Sequence, residues 1–453
     1  MPSFQKTVEP LLQNLAYTPN SAHWFARVRD LGTPVWFDSA WPFSRRGRYD
    51  IISAAPLTLI TSTDRADFIA DVRQALDQLS PLAIDSGLPF HGGAITLLSY
   101  EYGRQLHSLD ARDEEADLPA ALAGIYSWAI VSDHEQQRTT LIVRPETPAS
   151  LRDELTRRLH NAFAMPALDF ALNSSWQDDF PAENYRAAFA RLQEYIRAGD
   201  CYQVNLARRF RAEFHGDPFT AYLRLREIAA APYSAYFEHG DDAVLCLSPE
   251  RLIAAKDCEL LTQPIKGTAP RDNDPTRDRE LAQQLQSSEK NRAENLMIVD
   301  LLRNDLGRSC KPGSIRVEQL FELQSFATVH HLVSSIRGEL RDEMHALDAL
   351  KNSFPGGSIT GAPKHRAMQI IDELEPHARS IFCGSIGYID RNGNMDTNIT
   401  IRTLLASRQK QTIYAWAGGG VVADSKCEDE LQETNNKIDA LLNALEITTQ
   451  HTP

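Results

Sequence analysis

Two residues sixteen positions apart have the types and setting for covalent chemistry: Glu250, in Leu247-Ser248-Pro249-Glu250-Arg251, and Lys266, in Gln263-Pro264-Ile265-Lys266-Gly267-Thr268. A lysine where a strand runs into a turn is ordinarily a solvated cation. Enclosed by apolar neighbours, its charged form is disfavoured, its pKa drops by ~3–5 units at full burial, and the neutral amine is a nucleophile. The run 258–263 reads as the strand that delivers this lysine to its turn.

Further polar motifs accompany the pair. In the segment 202–206, Tyr202, Val204 and Leu206 alternate with Gln203 and Asn205, so the two amides share one face of a half-buried strand. That face is either solvated or the lining of a polar pocket. A helix over about 287–304 carries Glu294 and Asp300 beside an apolar surface. Unpaired carboxylates there are costly, which calls for cationic partners or a metal ion. Phe354-Pro355-Gly356-Gly357-Ser358-Ile359-Thr360-Gly361-Ala362-Pro363-Lys364 is a glycine-rich loop entering a helix, with Pro363 suited to the first helical turn. It is either a structural turn or, with Lys364, an anion cradle. Ala362-Pro363 intervene before the lysine and no Ser/Thr follows it, so the pattern favours a carboxylate over a nucleotide phosphate.

The segment 398–404 alternates like a strand that presents Arg402 beside Thr400 and Asn398, and arginine suits bidentate grip of a carboxylate. Gly418, Gly419 and Gly420 lie between strand-like flanks, where backbone N–H groups can approach a ligand closely. On the final helix, about 428–445, Glu430 and Glu433 share a face. The plainer role for Glu433 is an ion pair with Lys437 four residues on.

The elements that must position these groups belong to an ordinary globular composition. The chain has 453 residues, room for two or three domains or one large core. Its 61 acidic against 47 basic residues, a balance of -14, argue against a nucleic-acid partner and leave room for a local cationic pocket. The six cysteines show no zinc or disulfide spacing. Neither a leader-type apolar stretch at residues 1–16 nor an apolar run of about 18 residues is present, and a cytoplasmic protein is expected. Residues 1–170 read as a mixed α/β region, joined through charged, proline-bearing stretches to a region 171–453 that holds the motifs above.

Taken together and in order, Gly199 to Gln203, Ser248-Pro249-Glu250, Pro264 to Thr268, Glu294 to Asp305, His331-Leu332-Val333-Ser334, Gly361 to Lys364, Ile401-Arg402-Thr403 and Glu430 to Lys437 resemble the chorismate-utilising enzyme family over about residues 180–445. The resemblance implies an α+β fold of two antiparallel β-sheets packed face to face with helices outside. It also implies that region 1–170 is a companion domain like that of the anthranilate synthases. Those enzymes carry alanine where Lys266 stands. The Pro-Ile-Lys-Gly-Thr motif resembles instead the subgroup that converts chorismate and ammonia to 4-amino-4-deoxychorismate, for 4-aminobenzoate and folate biosynthesis, through a covalent lysine adduct. Gln203 replaces the water-activating lysine of isochorismate and salicylate synthases.

By the same resemblance, Lys266 is the nucleophile and Glu250 the general acid, while Mg²⁺ sits on Glu294 and Glu433 with Glu430 contributing. Gln203, Asn205, Thr268, His331, Gly361, Lys364, Arg402 and Gly418 to Gly420 surround the substrate. Ammonia is expected from a separate glutamine amidotransferase subunit. Ser39, Arg46, Gly47, Arg48, Tyr49, Pro232, Tyr233 and Ser234 outline a candidate tryptophan pocket, matched only loosely by Trp36-Phe37-Asp38-Ser39. An anthranilate synthase component and a non-catalytic scaffold subunit are the alternatives.

Overall fold

The computed structural model describes residues 8–44, 47–62, 67–83, 86–112, 117–272, 274–325 and 329–446. Among them, two sheets of thirteen and ten strands dominate, and neighbouring strands pair antiparallel. Each sheet buries apolar side chains on a face and needs something to cover it. The outer face of the larger sheet meets the helices Pro218–Ala229 and Cys427–Glu446 through Trp36, Phe219, Tyr222, Leu245, Ile438 and Leu441. A second, larger core draws Val204 and Val244 from one sheet and Ile95, Leu97 and Ile253 from the other. The helices Glu289–Gly307 and Lys364–Leu374 add Ile298, Leu302 and Met368 to it. Between the sheets the Phe37 and Tyr388 rings meet edge to face, 5.6 Å apart. The architecture is α+β, two antiparallel sheets with helices packed over them.

Both sheets run through position 170. Val35–Asp38 pairs with Tyr233–His239 in the larger sheet, and Gly93–Leu98 pairs with Ser385–Ile389 in the smaller. The N-terminal strands therefore complete sheets whose other strands come from the second region.

Two of the short segments that carry the chain from one sheet to the other lie side by side. Asp242–Ser248 belongs to the larger sheet and Arg251–Lys256 to the smaller, leaving Pro249 and Glu250 as the crossing. The return runs from Asn398, which ends Met395–Asn398 in the smaller sheet, to Thr403, which begins Thr403–Ser407 in the larger. The crossings are bonded together: the Ser248 hydroxyl donates to the Ile399 carbonyl (2.6 Å), and the Ile399 N–H donates to the Glu250 carbonyl (3.0 Å). The continuous strand expected over 398–404 is thus corrected to a crossover. Alternation alone cannot register a change of sheet, and here Thr400 turns its hydroxyl to the Ile381 carbonyl while its own carbonyl accepts from the Cys383 N–H.

Two other expectations shift. Lys266 lies not in a turn after the strand Glu259–Gln263 but inside a further strand, Ile265–Pro270. That strand pairs with Val329–Glu339 through a register slip between Ile265 and Thr268, with Gly267 at φ +88°, so a β-bulge sets the direction of the Lys266 side chain. The long helix spans Glu289–Gly307, with the Ser288 hydroxyl accepting from the Asn291 N–H at its start. Asp300 faces outward from it, pairs with Arg303 at 3.2 Å, and needs no buried partner. Among the described residues no helix is long and apolar enough to cross a membrane.

Candidate active site

Glu250 and Lys266 meet at one residue of the glycine-rich loop. The Ser358 hydroxyl donates to Glu250 Oε1 (2.9 Å), and the Lys266 ammonium donates to the Ser358 carbonyl (3.1 Å). Glu250 is buried, whereas Lys266 keeps partial access. Burial pushes the Glu250 carboxyl above the ordinary carboxylate range, against the opposing pull of Lys266 and the Ser358 hydroxyl. Burial likewise pulls the Lys266 amine down, against the charge of Glu250. Desolvation thus favours the uncharged form of both groups. Ser358 lies within the glycine-rich loop motif but carries no sequence signal of its own; only the folded contact singles it out.

Three carboxylates flank this pair. Glu430 and Glu433 of the last helix lie against Gly419, where a Cβ would come within 3.0 Å of Glu430 Oε2 and 4.0 Å of Glu433 Oε1. Burial raises Glu294, with Lys266 and Lys290 opposing and the Glu433 charge adding to the rise. Glu430 is raised by burial too, and again the Glu433 charge contributes. Glu433 itself is carried below its usual range despite burial, because Lys437 lies at 2.7 Å, the ion pair anticipated from the i, i+4 spacing. Among the described residues, no three acidic, imidazole or thiol groups already enclose one metal position. Mutually crowded carboxylates of this kind fit a Mg²⁺ ion, which is commonly held by one or two carboxylates with substrate oxygens and water completing the shell.

The strand Gln203–Gly216 brings its two amides to the same place. Gln203 and Asn205 are buried, and Gln203 Nε2 and Asn205 Oδ1 have no hydrogen-bond partner among the described residues. They sit over glycines of the neighbouring strand: a Cβ on Gly420 would lie 2.9 Å from Gln203 Nε2, and one on Gly418 would lie 2.5 Å from Asn205 Oδ1. Those glycines therefore seat the amides as well as exposing backbone. The strand Thr403–Ser407 pairs with the glycine-bearing strand Thr412–Val421 only as far as Ala415, which among the described residues leaves the edge at 418–420 without a strand neighbour on that side.

Arg402 sits on the return crossing at φ +50°. Burial alone moves its guanidinium below the usual range, and among the described residues no carboxylate pairs with it. A desolvated arginine without a counter-charge is a strong site for a carboxylate ligand. Thr268 and His331 are cross-strand neighbours sharing a 2.9 Å hydrogen bond between Oγ1 and Nδ1. His330 points elsewhere, to Ser325 and Asp278, a packing role.

At the glycine-rich loop, Gly361 at φ +150° lets the chain come against Gln203, whose carbonyl would lie 2.1 Å from any Cβ there. Pro363 is the residue before the helix Lys364–Leu374, not its first. The expected anion cradle at Lys364 is corrected: its ammonium donates to Asp305 Oδ2 (2.9 Å) and the Ser353 carbonyl (3.4 Å) as a buried ion pair. An aspartate 59 positions upstream could not be matched to it from local sequence. Asp305→Ala is expected to cost about 3–5 kcal/mol by stranding the ammonium, whereas Asp305→Leu with Lys364→Met together cost far less. Urea unfolding midpoints check this, and an unchanged midpoint for Asp305→Ala would show that the pair does not support the fold.

Of the residues proposed for tryptophan, Gly47, Arg48, Tyr49, Pro232, Tyr233 and Ser234 line part of a cavity of about 1140 Å³. Ser39 is turned inward, its hydroxyl donating to Asp50 (2.7 Å), and Gly47 is what allows that packing, since a Cβ there would fall 2.3 Å from the Ser39 Cβ. Arg48 is paired with Asp133 at 2.8 Å and lies over the Tyr49 ring. Arg46 lies outside the described residues.

The family model for chorismate binding enzymes matches residues 35–443. Aminodeoxychorismate synthase component 1 of Salmonella typhimurium strain LT2 is 43% identical over 458 residues, covering 97% of this chain and 99% of that protein. The protein of that name from Escherichia coli strain K12 is 43% identical over 460 residues, covering 97% and 100%. Among solved structures, anthranilate synthase component I from Streptococcus pneumoniae TIGR4 superposes with a TM-score of 0.76 at 30% identity, covering 88% of this chain and 92% of that one. The acid and amine that share one serine, beside crowded carboxylates, therefore sit in a chain that is matched over nearly its whole length, and this chain belongs to the chorismate binding enzyme family.

Proposed function

We propose that this chain is the chorismate-aminating component of an aminodeoxychorismate synthase, converting chorismate and ammonia to 4-amino-4-deoxychorismate and water. The observation that carries the reading is the meeting of Lys266 and Glu250 at Ser358 in a setting that favours both in their neutral forms. The near full-length relatives of that name support it. Lys266 weighs against the anthranilate synthase alternative, and the retained acid, amine and carboxylates weigh against a scaffold without activity.

Replacing the C4 hydroxyl with retention is awkward in one displacement, and two allylic displacements solve it. The neutral Lys266 amine attacks C2, both ring double bonds shift along the diene toward C4, and the C4–O bond breaks as Glu250 delivers its proton, releasing water. Ammonia then attacks C4, both double bonds shift back, and the C2–N bond to Lys266 breaks. The Glu250 carboxylate takes up the proton surplus, and the neutral pair is restored. The ion pair and the reactive pair of neutral acid and neutral amine hold the same number of protons. Desolvation, not pH, selects between them.

The substrate dianion has matching groups. Arg402 and the backbone edge at Gly418 to Gly420 face the enolpyruvyl carboxylate, while Gln203, Asn205, Thr268 and His331 bound the ring and its hydroxyl. Glu294 and Glu433, with Glu430 beside them, would hold Mg²⁺, which when bound neutralises the ring carboxylate. Ammonia comes from a separate glutamine amidotransferase subunit, and the cavity at Tyr49 and Tyr233 is assigned to tryptophan.

The test is mass spectrometry of products after mixing the protein with chorismate, Mg²⁺ and ammonium salt. Aminodeoxychorismate is expected. Anthranilate with pyruvate would replace this reading by the anthranilate synthase one, and unchanged chorismate would leave the scaffold.

A further inference from the structure

Outside the reacting groups, a buried polar cluster close to them is centred on Arg379, only 2% exposed. Its Nε and Nη2 donate to the Glu375 carboxylate at 2.9 and 2.7 Å. Nη2 also donates to the Asn205 carbonyl (2.7 Å), and Nη1 donates to the Ile359 carbonyl (3.0 Å). Glu375 in turn accepts from the Ala207 N–H (2.8 Å). The Tyr100 ring lies 4.8 Å from the guanidinium and closes it off. One ion pair thus fastens two main-chain segments: the strand that carries Gln203 and Asn205, and the turn Gly357–Ile359. The middle residue of that turn is Ser358.

A buried ion pair is poor evidence of stabilisation in itself, because desolvation of both charges offsets much of their attraction. The fork geometry is what the site uses. Arginine offers several donors in one rigid plane, so two carbonyls and a carboxylate can be held at fixed mutual angles, which a lysine ammonium cannot do. Ser358 must be so held, because its hydroxyl addresses Glu250 while its carbonyl addresses Lys266.

We propose that Arg379, oriented by Glu375, is a positioning residue of the reaction centre, setting the Ser358 main chain so that acid and amine share one partner. The inference rests on the roles proposed above for Glu250 and Lys266. Its signature is a pH limb. The Ser358 hydroxyl donates to the Glu250 carboxylate and favours its ionised form; without that bond Glu250 ionises less readily. Activity that needs protonated Glu250 is lost as pH rises, so the alkaline limb moves to higher pH when the bond is lost. The other groups facing Glu250 are Lys266, Lys437, the Ile265 N–H and the Cys383 thiol. None of them is substituted, and burial pushes the thiol up to about 12, so it stays neutral.

The experiment measures kcat and kcat/KM for chorismate against pH, at one fixed ammonium concentration, for wild type, Ser358→Ala, Arg379→Lys and the double variant. Each single variant is expected to move the alkaline limb upward by about one unit, the worth of a hydrogen bond to a charged group. The kcat of Arg379→Lys should fall about ten- to a hundredfold, as for other misplaced reacting groups. The double variant should move the limb no further than Ser358→Ala alone. A limb that stays at the wild-type position in Arg379→Lys, or that moves again in the Ser358→Ala background, overturns the inference. If Arg379→Lys does not fold, Glu375→Gln loosens the same fork and is read in the same way. A wild-type protein that forms no aminated product overturns the reaction and this inference together; wild-type turnover with an unmoved limb overturns this inference alone.

Discussion

Lys266→Ala is expected to lower formation of aminodeoxychorismate from chorismate and ammonium by at least ~10³-fold in kcat/KM, because no other group can form the C2 adduct and only binding and orientation remain. Lys290 and Lys437 do not substitute for it: Lys290 lies near Glu294 at 3.8 Å, and Lys437 is committed to Glu433 and the Gly418 carbonyl. Intact-protein mass spectrometry during turnover gives an independent readout, since the wild-type chain should gain the mass of chorismate less water and the variant should not. The variant also separates amination from elimination chemistry. A switch of its residual product toward anthranilate supports covalent catalysis, whereas undiminished aminodeoxychorismate would make Lys266 a bystander.

Glu250→Gln is expected to lower kcat by ~10²–10⁴-fold, the usual contribution of a positioned general acid. The amide can still accept from Ser358 but has no proton to give to the departing hydroxyl. Wild type should show a bell-shaped profile. Adding a proton to the reactive pair converts Lys266 to ammonium and ends nucleophilic attack at low pH; removing one ionises Glu250 and ends acid catalysis at high pH. Because burial lowers the lysine and raises the glutamate, the acid limb is carried to lower pH and the alkaline limb to higher pH, and the active window is broad. The variant should lose the alkaline limb and keep the acid one. A Glu250→Gln profile with both limbs in place would remove Glu250 from the acid role.

Much of this centre was legible in the chain because each element announces itself over a few residues. Gln203 and Asn205 follow from a five-residue alternation, Glu430 and Glu433 from helical spacing, and Lys266 from its order among neighbouring motifs. What could not be read are contacts made across the fold. Ser358 reaches Glu250 over 108 positions, and Arg379 reaches Asn205 over 174. Lys364 shows the cost of reading locally, since a glycine loop with a lysine looks like an anion cradle until Asp305 is folded against it. Arg402 shows another limit: its segment reads as a strand where the backbone changes sheets, because period-two patterning is indifferent to which sheet receives each half. The continuity of both sheets through position 170 was equally invisible, as strand partners are chosen by faces that only the assembled core defines.

The bonded crossings have a consequence for how the chain is made. Ser248 and Ile399 are 151 positions apart, and Lys266 is 92 positions from the carbonyl that receives it. Closing such long loops is slow and happens only when both ends exist. On the ribosome, a chain that has passed Lys266 still lacks Ser358, Ile399 and the final helix, so its amine is an ordinary hydrated ammonium. On the role proposed above for Lys266, the amine therefore gains its desolvated setting only after the segments that follow it in the chain have been made and folded against it.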